Sequence, residues 1–562
     1  MADKITQLRA WLETEKLDAY LVPHADRFQS EYLPPEEERL AWLTGFAGSA
    51  GMAAILKEKA FLFTDGRYTL QAAKQLGGAY YEAVESPPIS PIVHLEKHLA
   101  SGAVIGFDPN LFTVAQIAMW RKAAAKTQWI MLAVNENPID ALWTDRPVSE
   151  IVVAQDHPLA FAGQSTQDKV ATLLQKKEKA AGFVLISDPS LVCWLLNMRG
   201  QDVAHVPLVQ SIVLMDKDGQ ITLLTDPAKI TPELRQVWGN HVAVDHLDRL
   251  YDVLAKIDQP LQIDPSQCPY AIKEFCDDRG IAVIEANDPS LLLRACKNET
   301  EINGAIRAHE TDAKSYADFL GWFRGRDFAN ETITELDIMD QLRAARMKHA
   351  DCTDESFDTI AGYGPNGAIV HYHADAQSNL RLENGSLLLL DSGGQYRYGT
   401  TDITRVFAIG TPTAQMKTHY TAVLKGLLAL SMARFPEGTT GSQLEALARA
   451  PIWAHGIDYA HGTGHGVGSY LSVHEGPQGL SPRGSMTALQ PGMILSIEPG
   501  IYLTGEYGIR LENLVVVVED KRPGDVKNML AFKTLTKVPF EENLIDTDAL
   551  TPDEQEFLKQ FA

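Results

Sequence analysis

Two largely apolar runs in this chain, Leu387 to Leu390 and Ile494 to Ile497, have the composition of buried strands, and each is followed at once by a carboxylate, Asp391 and Glu498. An ionised carboxylate at the end of a buried strand is costly unless something pairs with it. Any fold open to this chain must therefore bring positive charge to those strand ends. The demand is repeated nearby. Asp391-Ser-Gly-Gly-Gln-Tyr-Arg-Tyr-Gly-Thr-Thr-Asp402 supplies a second aspartate, Arg510-Leu-Glu512-Asn supplies a second glutamate, and His461-Gly-Thr-Gly-His465-Gly stands between them.

A metal is the natural partner for several acids at once. Asp391, Asp402, Glu498 and Glu512 carry four negative charges, which two divalent cations would neutralise, and His465 adds one imidazole. Oxygen ligands with a single nitrogen fit Mn²⁺ best, while Co²⁺, Fe²⁺ and Zn²⁺ can also bind such a set. Carboxylates can bridge two ions about 3.5–4 Å apart, the spacing of dinuclear hydrolase sites. His461 and His465 would face one ion on a helix, but Gly462, Gly464 and Gly466 argue against a helix there. On an extended chain the two rings lie about 13 Å apart, so only one should be a ligand, and His461 is read as lining a substrate pocket.

The glycines of this region neither meet GxGxxG nor form a phosphate loop, and Gly48-Ser49-Ala-Gly lacks the spacing of a serine-hydrolase elbow. The region opens with an acidic helix start, Lys297-Asn-Glu-Thr-Glu301. An amphipathic stretch containing Ile306, Ala313, Tyr316 and Leu320 follows.

The N-terminal half repeats itself. A helix-like segment (Ile5, Leu8, Trp11, Leu12) precedes the strand-like Lys16-Leu-Asp-Ala-Tyr-Leu-Val22, and Val170, Leu173 and Leu174 precede Lys179-Ala-Ala-Gly-Phe-Val-Leu185. Trp42-Leu-Thr-Gly-Phe leads into a strand pair ending at Asp65, and Trp194-Leu-Leu-Asn-Met into one ending at Asp226. This pattern predicts a duplicated α/β domain, the second copy offset by about 160 residues, with a polar, proline-containing connector between Trp143 and Gln167.

A length of 562 residues sets a prior of three or four compact units. The 50 Lys+Arg against 73 Asp+Glu leave a formal net charge of −23, which repels phosphate backbones and argues against nucleic acid or an anionic membrane as partner. Met1 to Tyr20 lack an uninterrupted apolar stretch, and Leu514 to Val518 falls far short of a membrane-spanning helix, so a cytoplasmic protein is expected. Five cysteines without a CxxC pair are expected to be reduced, structural thiols.

Taken together, these motifs resemble the aminopeptidase P (Xaa-Pro aminopeptidase) branch of the pita-bread metallopeptidases, alongside prolidase and methionine aminopeptidase. The resemblance extends to Val473-His474-Glu-Gly-Pro, Glu498-Pro-Gly-Ile-Tyr, Trp42-Leu-Thr-Gly-Phe-Ala-Gly-Ser-Ala-Gly51, Thr64-Asp-Gly-Arg-Tyr68, Trp143-Thr-Asp-Arg-Pro147 and the tail Leu535-Thr-Lys-Val-Pro-Phe540 to Leu544-Ile-Asp546. These last segments resemble the long, three-domain cytosolic form. The resemblance implies an α/β (α+β) architecture: two related creatinase-like N-terminal domains, 1–160 and 161–298, then a pita-bread catalytic domain with a C-terminal extension, 299–562.

It also implies roles. Asp391, Asp402 and Glu512 would bind one ion and Asp402, His465, Glu498 and Glu512 the other, with Asp402 and Glu512 bridging. His371, in Val370-His-Tyr-His373, would contact substrate near the scissile bond, His474 would stabilise the carbonyl oxygen, and His461 would line the pocket for proline. Arg510 would hold the site carboxylates from outside. The implied activity is release of the N-terminal residue from peptides with proline second, through a metal-bridged hydroxide, with Glu498 relaying the proton. A homodimer is implied as well, in which Arg67 either reaches a neighbour's channel or makes an internal salt bridge. A prolidase acting on Xaa-Pro dipeptides is the alternative enzyme, and a non-catalytic pita-bread binding module the alternative outside enzymes.

Overall fold

The computed structural model describes residues 2–76, 80–482 and 486–561. The chain divides into two compact units, Met1–His157 with Gln164–Ser290, and Pro158–Gly163 with Leu291–Ala562.

The first unit holds two six-stranded sheets. Strands β1 (Ala19–Pro23), β2 (Met52–Leu56), β3 (Ala60–Thr64), β4 (Glu82–Glu85), β5 (Val104–Phe107) and β6 (Ile130–Ala133) take the order β4-β3-β2-β1-β5-β6. Strands β7 (Phe183–Ile186), β8 (Ile212–Asp216), β9 (Ile221–Thr225), β10 (Val242–His246), β11 (Leu261–Ile263) and β12 (Val283–Glu285) take the order β10-β9-β8-β7-β11-β12. Each pairing in the second sheet has the sense of its counterpart in the first: antiparallel along the central β1-β2-β3 and β7-β8-β9, parallel outside them. The landmarks of the sequence repeat fall at equivalent places, Trp42 in helix α1 (Arg39–Thr44) and Trp194 in helix α2 (Pro189–Leu196), each in the helix that precedes its hairpin. The duplication predicted from the sequence is thus present as two sheets of one topology.

The two sheets share cores, which is why they form one unit. Tyr270 packs with Phe107 and Phe112 of the first, while Phe28 and Val114 pack with Ile212 and Leu214 of the second. The connector is not a free tether. Trp143 stacks on Trp42 at 5.6 Å between ring centroids, and the helical turn Leu159–Ala162 belongs to the other unit, where Asn298 donates to the Ala162 carbonyl at 2.8 Å.

In the second unit, helix α3 (Glu299–Arg324) starts where the acidic segment predicts. Asn298 caps it, and Glu301 closes a reciprocal capping box. Tyr316 and Leu320 of its apolar stripe are buried. Helix α4 (Glu335–Met347) packs on α3. Strands β13 (Ile360–Tyr363), β14 (Ser386–Ser392) and β15 (Ile403–Ile409) make an antiparallel sheet in that order.

A second, six-stranded sheet is built from β16 (Arg434–Pro436), β17 (Gly464–Gly466), β18 (Glu475–Leu480), β19 (Ile494–Ile497), β22 (Asn513–Glu519) and β23 (Met529–Thr534). Its order is β16-β23-β22-β19-β17-β18, and the hairpin β20 (Gly500–Leu503) and β21 (Tyr507–Arg510) joins β19 to β22.

The unbroken apolar run Leu387–Leu390 has a simple cause: Leu387 and Leu389 face the core lined by helix α5 (Ala414–Ser431), and Leu388 and Leu390 face the core beneath α3 and α4. A strand buried on both faces has no polar positions to alternate. Among the described residues no helix is long and apolar enough to cross a membrane.

The contact of α3 with α4 rests on an ion pair sealed from water. Arg346, 0% exposed, donates to both carboxylate oxygens of Asp312, at 2.8 and 3.2 Å, and Tyr396 adds a third bond to Asp312 at 2.9 Å. Removing one partner strands a buried charge, so Arg346→Ala should lower stability by about 3–5 kcal/mol. A urea denaturation midpoint close to that of the parent protein would contradict this.

Candidate metal centre

The acids predicted as ligands arrive from these two sheets of the second unit. Asp391 is on β14, directly opposite Thr404 on β15, and Asp402 immediately precedes β15. His465 is the middle residue of β17, Glu498 follows β19, and Glu512 lies between β21 and β22. Backbone bonds tie these positions together: Glu512 N–H donates to the Thr404 carbonyl at 3.1 Å and Glu498 N–H to the Thr463 carbonyl at 2.7 Å. The wholly buried Arg405 strengthens the first joint, donating to the carbonyls of Thr404 at 3.0 Å and Glu512 at 2.6 Å.

The geometry is that of a cluster. Asp402, His465 and Glu512 each present a ligand atom within 4.8 Å of the others. His465 Nε2 is 3.5 Å from Asp402 Oδ2 and 3.5 Å from Glu498 Oε1. Its Nδ1 bonds the Gly466 carbonyl at 2.9 Å, which leaves Nε2 facing the acids. Ser496, on β19, orients two of the set: its hydroxyl accepts from His465 N–H at 2.9 Å and donates to Glu498 Oε1 at 3.3 Å.

Arg510 stands behind Asp391, with Nη2 at 2.5 Å from its Oδ2 and Nη1 at 2.8 Å from the Tyr502 hydroxyl. Thr404 donates to Glu512 Oε2 at 2.9 Å. The other oxygens, Asp391 Oδ1 and Glu512 Oε1, are buried without a hydrogen-bond donor among the described residues.

Burial and mutual repulsion shift the acids of this crowd towards their neutral forms. Burial pushes the Asp391 carboxyl up to about 6 against the pull of Arg510, with Asp402 and Glu498 adding to the rise. Glu512 is held well above the usual carboxylate range, by burial first and then by Asp402, Glu498 and Asp391. Burial disfavours the charged form of His465, but Asp402 and Glu498 outweigh it and lift the ring to about 9. Orphaned oxygens, carboxyls pushed up by burial and by one another's charge, and one imidazole nitrogen facing them make a donor set that divalent cations fit.

The other predicted residues surround this cluster. The His474 ring meets His465 edge-on at 4.3 Å. His461 has both ring nitrogens engaged, with the Gly462 carbonyl at 2.7 Å and the Tyr502 hydroxyl at 2.8 Å. His371 is half-buried on the segment after β13, where Val370 offers its carbonyl to Arg510 at 3.3 Å. His373 is exposed. In the other unit, Arg67 makes a two-pronged pair with Asp65, at 2.9 and 2.7 Å.

Sequence reasoning did not assign Tyr502, Ser496 or Thr404. Tyr502 links Arg510 to His461, and its alternation with Gly500 on a short strand beside Glu498 was the available clue.

One close approach makes the cluster possible. A Cβ on Gly464 would lie 1.9 Å from the Ser496 carbonyl oxygen, so only glycine lets β17 lie against the strand that leads to Glu498. Gly464→Ala should cost about 1–3 kcal/mol by forcing these strands apart. An unchanged denaturation midpoint would show that the contact is not tight.

Residues 304–519 match metallopeptidase family M24, and residues 4–136 and 145–301 each match a creatinase/prolidase N-terminal domain. The chain is 36% identical over 581 residues to a probable Xaa-Pro aminopeptidase P of Coccidioides posadasii, covering 100% of this chain and 89% of that relative. The crystal structure of an X-prolyl aminopeptidase from Caenorhabditis elegans, described as a cytosolic enzyme with a di-nuclear active site, superposes with a TM-score of 0.95 at 31% identity, covering 100% of this chain and 94% of that one. A Xaa-Pro dipeptidase from Bacillus anthracis matches with a TM-score of 0.55 at 26% identity, covering 67% of this chain and 99% of that one. With a full-length relative at this identity and both kinds of domain matched, the chain belongs to the Xaa-Pro aminopeptidase P family of M24 metallopeptidases.

Proposed function

We propose that this protein is a metal-dependent aminopeptidase that removes the N-terminal residue from peptides whose second residue is proline. The observation that carries the reading is the convergence of Asp402, His465 and Glu512 within 4.8 Å, with Asp391 and Glu498 against them, in a chain that matches aminopeptidase P relatives along its whole length. Asp391, Asp402, His465, Glu498 and Glu512 would hold two divalent ions, Mn²⁺ by the oxygen-rich character of the set. Ions bound there supply Lewis acidity, activating water and polarising a carbonyl.

The chain's own residues do the rest. His371 and His474 hold the substrate at the scissile carbonyl, His474 as donor to the developing oxyanion. Glu498 carries the proton to the leaving proline nitrogen. Proline in second place has no N–H to offer a general peptidase. His461, 4.8 Å from the Tyr459 ring and 5.5 Å from the Tyr502 ring, forms the aromatic wall that suits its ring.

The same reading includes a cytoplasmic homodimer and a division into domains at 1–160, 161–298 and 299–562. The two N-terminal domain matches support that division, and the cytosolic relative supports the location. Sedimentation at twice the chain mass is the expected result for the dimer.

Asp402→Asn should abolish both metal uptake and hydrolysis of an Xaa-Pro peptide, and full activity in that variant would sink the assignment. A dipeptidase is set apart by substrate length. Hydrolysis of Arg-Pro-Pro is expected to exceed that of a Gly-Pro dipeptide, and the reverse order would favour a prolidase.

Metal uptake should also depend on pH. Asp391 and His465 titrate at about 6 and about 9 in the metal-free protein, both above their unperturbed values, so binding a cation expels protons and tightens as pH rises through that range. The stability these groups contribute is present at low pH. The metal-free protein loses it between about 4 and 6 for Asp391 and between about 6.5 and 9 for His465. Calorimetric titration in two buffers of different ionisation enthalpy should show proton release; identical heats in both would contradict it.

A further inference from the structure

Glu335, the first residue of α4, is 0% exposed, yet among the described residues no lysine or arginine pairs with its carboxylate. Its oxygens instead accept from four neutral donors of one segment: Tyr363 N–H at 2.7 Å, the Asn366 amide at 3.0 and 3.1 Å, the Tyr372 hydroxyl at 2.8 Å and Leu380 N–H at 2.9 Å. Glu335 N–H returns a bond to the Leu380 carbonyl at 3.1 Å. One buried carboxylate thus fastens the start, the middle and the end of the segment 363–380.

That segment carries His371. The residue before it, Val370, is held through its carbonyl by Arg510, which also grips Asp391. The residue after it, Tyr372, is held through its hydroxyl by Glu335. The segment lies against the β20–β21 hairpin, where a Cβ on Gly508 would fall 1.7 Å from the Gly367 carbonyl oxygen. A helix cap needs one such bond, whereas Glu335 makes bonds at four separate places in the segment.

We propose that Glu335 is a positioning residue for the peptidase reaction, setting His371 at the substrate by anchoring the segment 363–380 from behind. The proposal rests on the reading of His371 given above, and a double-mutant cycle separates the two. The metal-loaded enzymes Glu335→Gln, His371→Ala and the double variant are compared for kcat and KM on Arg-Pro-Pro, with metal content measured alongside. Gln keeps the size of the side chain but turns one acceptor towards the N–H donors as a donor.

Glu335→Gln is expected to lower kcat about 10–100-fold at unchanged metal content, and the double variant to be no slower than His371→Ala alone. Losses that multiply in the double variant, an unchanged kcat per folded molecule, or loss of metal from Glu335→Gln would overturn it. A His371→Ala enzyme as fast as the parent would overturn the reading of His371 and the proposal with it. Should Glu335→Gln fail to fold, Tyr372→Phe, which removes one donor and spares the other three, carries the same comparison with a smaller loss.

Discussion

Electrostatic repulsion among four carboxylates is the constraint around which the second unit is built. Glu512 feels Asp402, Glu498 and Asp391 together, in a place where burial removes the screening of water. The metal-free chain meets this with Arg510 on Asp391, with hydroxyls of Thr404 and Ser496 on Glu512 and Glu498, and with Asp391, Glu512 and His465 all shifted towards their protonated forms. Among the described residues Arg510 and the charged ring of His465 are the two positive groups on these acids, so four carboxylates face two positive charges. Such a deficit is what a site made for divalent ions should show, because the groups that would balance it permanently would also compete with the metal.

The scaffold makes this arrangement rigid. Two sheets meet where Glu512 bonds Thr404, Arg405 clamps that joint through backbone carbonyls, and strands β14 and β22 are buried on both faces. Ligands at the ends of such strands cannot drift apart without breaking cores on both sides. Positioning therefore comes from the fold as a whole, and the second layer around the acids, Tyr502, Ser496 and Thr404, refines it.

Much of this was legible in the residues. Asp391 and Glu498 stand out because a carboxylate ending an apolar run has no ordinary explanation, and the glycines around His465 exclude the helix that would have made His461 a second ligand. The duplicated half was readable from Trp42 and Trp194 because each precedes a hairpin of similar pattern. What could not be read depends on distance along the chain. Glu335 looks like any acid in the first turn of a helix, and its partner Leu380 is 45 residues away. Tyr502 and Arg510 sit on opposite strands of a hairpin whose register only the folded chain sets. The Pro158–Gly163 turn reads as linker, and its place in the other unit depends on Asn298, far downstream.

The central claim is that the acid cluster is a dinuclear metal site and that the activity depends on it. Elemental analysis of the purified protein while it is hydrolysing an Xaa-Pro peptide tests this most directly. The account predicts about two divalent ions per chain, with activity falling in step as they are removed and returning as they are restored. Full activity from protein carrying no bound divalent ion would contradict it.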